Sequence, residues 1–580
     1  MAEKWCLNDI YPGYDSPQFL ADFNDLKPLV EAMNAAASAL QSFEDVARAI
    51  ALLEEYSAKL DRISSYCNYT FAANTADEDS AKYLYQLEAL NAETSRAQVR
   101  LAKFLATVAD IPSQAAAHGL GHYSYWLGFI AEDFSHMLSE DEETIISQMA
   151  TTGSSAWEMM HEKLVSNLTC EYQGRSITIN ECRNLAYDPS QAVRKAAYEA
   201  ELAAYKKIEE PSAAAINGIK GEVNLLARLR KFDSPLAQTL FNSAMSSKTL
   251  AAMFQAIDAN IHYLRSYLQA KAKYLGHQGG LPFYDLFAPV GKTAEKPFSY
   301  TDAKKFVEDN FAKFSPGMAD VARLAFDNNW VDVEPREGKV SGAFCGDTYA
   351  IKQFRILLNF GGSLGDVITL AHELGHGYHS MQVMEEGILN TRYPMPLAET
   401  ASTFCEAIVT NAALETLPQA EKLQLLENSL QDATQVIVDI YSRFLFEKGV
   451  FEARQSHPLS VTELNELMLT AQQKAYGNGL APDAMHQSMW VIKPHYYSTA
   501  SYYNFPYAFG HLLANGLYKI YETNSATFGA KYDAFLRASG KMSIADSCKM
   551  LDINVESVDF WNDAMDVIKD RIAEFERCVS

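Results

Sequence analysis

The segment His372-Glu373-Leu374-Gly375-His376 restricts what this 580-residue chain can fold into more than any other feature. Two histidines four apart can aim at one ion only on a helix, where that step turns by roughly 40° and rises roughly 6 Å. Glu373, rotated by about 100° from His372, can then reach a water on the ion without ligating the ion itself. The flanking residues suit such a helix: Asp366 or Ser363 can cap it, and Val367, Leu370, Leu374 and Tyr378 form an apolar stripe to pack it inward.

This division of roles points to metal-assisted hydrolysis. Zinc lowers the pKa of a bound water to about 7, and a carboxylate then accepts its proton as the water attacks a carbonyl. Glu373 is the expected general base, able to pass the proton on to the leaving amine. A catalytic zinc takes three protein ligands, so a third must come from outside this helix. Downstream stand Glu385, Glu386, Glu399 and Glu406. The first two adjoin Gly387, where the helix should end pointing away from the ion. Glu399 follows the turn-forming Arg392-Tyr393-Pro394-Met395-Pro396 and falls in the first turn of a helix expected over Leu397–Leu414, which favours it. Glu406 lies roughly 10 Å further along that helix, better placed to orient a histidine or to form a salt bridge than to share the ion. A third histidine at metzincin spacing would fall at position 382, which is Gln382, and His379 reads as a packing residue.

Composition narrows the alternatives. With 49 Lys+Arg against 73 Asp+Glu the net charge is −24, which would repel a phosphate backbone and excludes a nucleic-acid partner on electrostatic grounds. The start, Met1 to Asp9, lacks a basic stretch followed by an apolar core, and no apolar run is long enough to cross a membrane. Eight cysteines with no Cys-x-x-Cys pair read as free thiols in a reducing cytoplasm.

The predicted fold is mainly α. Helical spacing, as in Leu87, Leu90, Ala97, Leu101 and Leu105, runs through the first 120 residues and continues from Glu140 to Lys273, with turns at Thr152-Gly153, Gln173-Gly174 and Asp233-Ser234-Pro235. His277 to Pro297 reads as a long loop. A small sheet is expected just upstream of the metal motif, from Lys339–Phe344 and Phe354–Leu358 with a break at Gly346-Asp347, and helix again after Gly361-Gly362 almost to the end. Along the chain this gives an N-terminal helical lobe over 1–115, a helical connecting region over 116–200 and a catalytic region over 201–580.

Asn359-Phe360-Gly361-Gly362-Ser363-Leu364 followed by Leu370 to His379 resembles the oligoendopeptidase F branch of the thimet-oligopeptidase family of zinc metallopeptidases. The resemblance extends to Leu7-Asn8-Asp9-Ile10-Tyr11-Pro12 and to Tyr284-Asp285-Leu286-Phe287-Ala288-Pro289, and so covers nearly the whole chain. It implies a multi-helical enzyme whose active site lies at the floor of a deep channel that admits short peptides, with one Zn2+ per chain. It also implies a glutamate ligand just over twenty residues past the second histidine, and Glu399 lies 23 past His376. A late His/Tyr-rich loop that steadies the oxyanion is matched by His495-Tyr496-Tyr497 and Ser501-Tyr502-Tyr503-Asn504-Phe505, so His495 with Tyr502 or Tyr503 is expected to serve there. Lys339 to Phe344 resembles the family's strand near the cleft, whose backbone would pair with an extended peptide, or is a plain edge strand.

Two other classes compete. A di-iron bundle needs two Glu-x-x-His motifs, and Glu158-Met159-Met160-His161 supplies a second; it would leave His372 without a role, and a solvated helix face explains Glu158 and His161 more simply. A peptide-binding scaffold descended from a peptidase would have lost the base or a ligand, and neither is lost. Thr403 stands where thermolysin-like enzymes often carry an aspartate that supports a ligand, so that support must come from elsewhere.

Overall fold

The computed structural model describes residues 3–291 and 298–580. Helix accounts for 72% of it, and its sheets have only two and three strands, so the mainly-α fold predicted from the sequence is what forms. The chain divides into two compact units, each assembled from three separate stretches.

The first unit comprises 1–136, 294–412 and 520–553. Its opening helices, Pro17–Ser38 and Phe43–Ala73, pack side by side, and the second starts at a capping box between Ser42 and Asp45. Trp5, Tyr11, Phe19, Tyr66 and Tyr69 form a core with them. The Leu7–Pro12 motif owes its chemistry to Arg355, which is fully buried: its guanidinium donates to Cys6 O at 2.8 Å and pairs with Asp9 at 2.6 Å. A buried guanidinium needs such partners, and the start of the chain supplies them.

Arg355 lies in a three-stranded sheet of β3 (Val331–Asp332), β4 (Phe344–Thr348) and β5 (Gln353–Leu357), in the order β3-β5-β4. β3 runs parallel to β5 and β4 antiparallel, with Phe344 opposite Leu357 and Thr348 opposite Gln353. The sheet lies where it was expected, but not its first strand. Residues 339–343 are irregular, held by Lys339 Nζ on Asp332 at 2.7 Å and by Val340 N donating to Ala72 O, and β4 runs straight through the anticipated break at Gly346-Asp347. A long-range contact explains this: the Tyr69 ring packs where a Cβ on Gly346 would be, and the hydroxyls of Ser65 and Tyr69 donate to Asp347 O at 3.1 and 3.0 Å.

The second unit comprises 137–293, 413–519 and 554–580. Helix Ser247–Tyr274 packs on Val558–Val579, and Glu209–Leu229 packs on Ser154–Ser166 and on Ile440–Arg454. The turn expected at Gln173-Gly174 is there, but it joins the two strands of a hairpin rather than two helices: β1 (Thr169–Tyr172) pairs with β2 (Arg175–Thr178), with Gln173 at φ 49° and Gly174 at φ 77°. Two positive φ values in a two-residue turn suit the twist of paired strands. His161 is not on a solvated face: it is 3% exposed, its Nε2 bonds Val491 O at 2.9 Å and its ring stacks on Tyr497. Burial pushes its imidazole down to about 4, so it is neutral. The return to helix after Gly362 is also interrupted, by short turns and irregular backbone from Gly477 to Asn504.

In the Tyr284–Pro289 motif, Asp285 is fully buried and takes Arg194 Nε at 2.7 Å and His277 Nε2 at 2.6 Å. The expected loop from His277 is irregular to Gly291 apart from the turn Phe283–Asp285 and a β-bridge from Leu281 to Leu480, and its last residues, 292–297, lie outside the described residues.

Candidate metal centre

The helix that carries both histidines spans Leu364–Val383. Both expected caps act in one box: Ser363 Oγ accepts from Asp366 N, and the Asp366 carboxylate accepts from Ser363 N at 2.9 Å and Gly361 N at 3.0 Å. Val367, Leu370, Leu374 and Tyr378 are all buried, as the stripe predicts. β4 and β5 pack against this helix, with the Phe354 ring lying where a side chain on Gly377 would be.

The Glu399 helix spans Met395–Thr416, beginning two residues earlier than expected, which puts Glu399 in its second turn. The two helices cross at Gly375, where a Cβ would lie 2.7 Å from Ala401 O and 2.7 Å from Ser402 Cα. Only a hydrogen at position 375 lets the backbones meet, and that contact sets the depth at which Glu399 reaches the histidines. Gly375→Ala is therefore expected to lower stability by about 1–3 kcal/mol, because backbone rather than a flexible side chain must move. Metal affinity should fall with it. Thermal melting with and without added metal checks this; an unshifted melting temperature and unchanged affinity would refute the role of the crossing.

The donors converge as the spacing argument requires. His376 Nε2 lies 3.1 Å from His372 Nε2, and Glu399 Oε2 lies 3.4 Å from the first histidine's Nε2 and 3.5 Å from the second's. Ligands held roughly 2.0–2.1 Å from a tetrahedral ion are separated by about 3.3 Å along each edge, so this triangle fits such an ion. His372, His376 and Glu399 could hold a metal ion. Ser402, not foreseen from the sequence, steadies Glu399 by donating its hydroxyl to Oε2 at 2.9 Å.

Glu406 bonds His372 Nδ1, and this one contact serves both readings, orienting the histidine and pairing with it as an ion. In the neutral ring, a proton held on Nδ1 by Glu406 would leave the Nε2 lone pair for an ion. The local charge also suits a cation. Burial opposes a proton on His372, but the bond to Glu406 and the charges of Glu406, Glu373 and Glu399 outweigh it and lift the imidazole to about 9. Burial likewise works against charge on Glu399, yet His376, His372 and Ser402 bring its carboxyl down to about 2. Three carboxylates around two imidazoles form a site that attracts positive charge.

Glu373 is 5% exposed, and no described residue donates a hydrogen bond to its carboxylate. Burial pushes its carboxyl up from the ordinary value, with the two histidines pulling it back. A carboxylate left unsatisfied by protein and shifted toward neutrality is suited to accept a proton.

The rejected candidates are engaged elsewhere: Glu385 pairs with Lys352 at 2.8 Å, and Glu386 with Lys541 at 2.5 Å. His379 is 1% exposed, bonds Ser539 Oγ at 2.9 Å and stacks on Tyr393; burial holds it near 3 and neutral, a packing residue as expected. Gln382 accepts from Arg537.

His495, Tyr502 and Tyr503 belong to the second unit. The His495 ring stacks on Tyr503, with centroids 4.8 Å apart. Tyr502 turns away from this pair: it is 4% exposed and packs against Phe444 and Phe451.

Known proteins resemble this chain over most of its length. The profile of Peptidase family M3 matches residues 184–567, and that of Oligopeptidase F matches 112–169. An oligoendopeptidase F homolog of Lactococcus lactis subsp. lactis is 28% identical over 536 residues, covering 88% of this chain and 87% of that protein. Oligopeptidase PepF of Bacillus subtilis is 23% identical over 592 residues, covering 99% and 87%. Among solved structures, a Chlamydophila abortus protein aligns at TM-score 0.86 with 20% identity over 99% of this chain and 98% of the other. Oligoendopeptidase-F of Enterococcus faecium aligns at TM-score 0.72 with 18% identity over 97% and 99%. With a family profile matching well over half its length and a cluster of two histidines and a glutamate that can hold a metal, the chain belongs to peptidase family M3, a family of metallopeptidases.

Proposed function

We propose that this protein is a zinc-dependent endopeptidase that hydrolyses internal bonds of short oligopeptides, with one zinc per chain held by His372, His376 and Glu399. The triangle of donors 3.1–3.5 Å apart, with Glu373 beside it, carries the reading. When bound, the ion supplies Lewis acidity, bringing the pKa of a water toward neutrality and polarising a carbonyl.

Glu373 takes a proton from the attacking water and delivers it to the leaving amine. Its lack of any hydrogen-bond donor among the described residues supports this role. His495 and Tyr503 donate to the carbonyl oxygen as charge develops on it, an interaction worth about 10²–10³-fold in rate. Packing of Tyr502 among phenylalanines supports Tyr503 as the donor over Tyr502. A catalytic region over 201–580 is supported because every residue named here falls in it; 1–115 and 116–200 serve as N-terminal lobe and connecting region.

Short peptides are the proposed substrates because the relatives include an oligoendopeptidase F homolog and an oligopeptidase. The net charge of −24 speaks against nucleic acid as a partner. Among the described residues, no helix is long and apolar enough to cross a membrane. A cytoplasmic setting is supported by eight free cysteines.

Hydrolysis of a peptide library of mixed lengths, with and without chelator, alongside metal analysis of the protein, tests the proposal. Chelator-sensitive internal cleavage confined to short peptides, with one zinc per chain, is expected. Bound zinc without cleavage would mark a peptide-binding protein, and two irons per chain would overturn the assignment.

A further inference from the structure

The segment that carries His495 and Tyr503 has little regular structure of its own: a short turn at Pro494–Tyr497, then irregular backbone to the helix that starts at Phe505. Such a segment holds a stacked pair in place only if its backbone is tied to something rigid. One tie is Thr239 Oγ1, which donates to Ser501 O at 3.1 Å, and two more come from a buried ion pair.

Lys220, on helix Glu209–Leu229, is fully buried, and Glu447, on helix Ile440–Arg454, is 2% exposed. They pair at 2.9 Å. Each also reaches the segment: Lys220 Nζ donates to Ser498 O at 3.3 Å, and Glu447 Oε2 accepts from Tyr502 N at 3.1 Å. One turn before Glu447, Arg443 donates to Asn504 Oδ1 at 3.1 Å. Tyr502 sits at φ +53°, a left-handed conformation that a residue with a Cβ avoids unless its surroundings impose it. The bond to Glu447 and the ring packing on Phe444 and Phe451 impose it, and that conformation fixes where the next residue, Tyr503, sets out.

Stability alone does not account for the pair, because replacing a buried ion pair with apolar residues of similar volume is often neutral or stabilising. We propose that Lys220 and Glu447 are positioning residues, a clamp that holds the 498–502 backbone so that Tyr503 and His495 stand in one fixed arrangement. The proposal rests on the reading that these two groups donate to the substrate's carbonyl oxygen.

The test is the double variant Lys220→Met with Glu447→Leu, which removes both charges and strands neither. It should fold, keep its metal content and its KM, lose kcat by about 10- to 100-fold, and exchange the Tyr502 amide hydrogen faster. In a Tyr503→Phe background the same pair of changes should cost less than about twofold, since the group being positioned is already gone. An unchanged kcat in the double variant beside an impaired Tyr503→Phe overturns the clamp alone, as does a loss fully additive with Tyr503→Phe. Unchanged kcat in both Tyr503→Phe and His495→Ala overturns the reading of the donors and the positioning role with it.

Discussion

Glu373→Gln is expected to bind metal as the unaltered chain does and to turn over peptide about 10²–10⁴-fold more slowly, the range that a positioned general base contributes. The substitution is nearly isosteric, and the donor triangle does not include residue 373. Its burial means that water cannot readily supply a substitute base from that side. The glutamine amide retains the shape but cannot accept a proton at working pH. Metal analysis beside single-turnover hydrolysis separates the two effects. Turnover at the parent rate would remove Glu373 as the base; lost metal would mean that it supports the ion rather than the water.

Glu399→Ala should act on binding instead. Removing a group that merely supports a ligand typically costs 10–100-fold in affinity, so deleting the ligand itself should cost at least about 100-fold. The carboxylate is the triangle's only anionic corner and is held in its charged form by both histidines and Ser402. Its loss leaves two imidazoles 3.1 Å apart with nothing to close the third side. Competition against a chelator of known affinity measures the change. Affinity within a few-fold of the parent would transfer the third position to another carboxylate, with Glu406, already bonded to His372, the first to be examined.

The two variants thus separate into one that retains metal without turnover and one that loses both, a distinction already implicit in the spacing of the residues. The triangle itself was legible because each part of it is local. His372 and His376 share a face through helical periodicity, and the turn before Met395 brings the chain back toward them. Other local patterns misled. Glu158 and His161 have the spacing of a polar face, yet His161 lies against Tyr497, more than 300 residues away. The strand expected from residue 339 begins at Phe344, because Tyr69 packs over Gly346 and its hydroxyl bonds Asp347 O.

The sequence by itself determined the metal helix with its cap and buried stripe, the choice of Glu399, the mainly-α class and the candidate late loop. The helix, cap and stripe rest on interactions within a turn or two of chain, and the choice of Glu399 and of the late loop on a turn signal and on the resemblance. Only the tertiary structure decided that Gly375 lets the Glu399 helix close on the histidines, that Glu406 orients His372, that Tyr502 packs away from His495 while Tyr503 stacks on it, and that the two compact units interleave along the chain. The physical reason is that periodicity and capping depend on neighbours in sequence. Which surfaces meet depends on burial shared between residues far apart, and no local pattern encodes that choice.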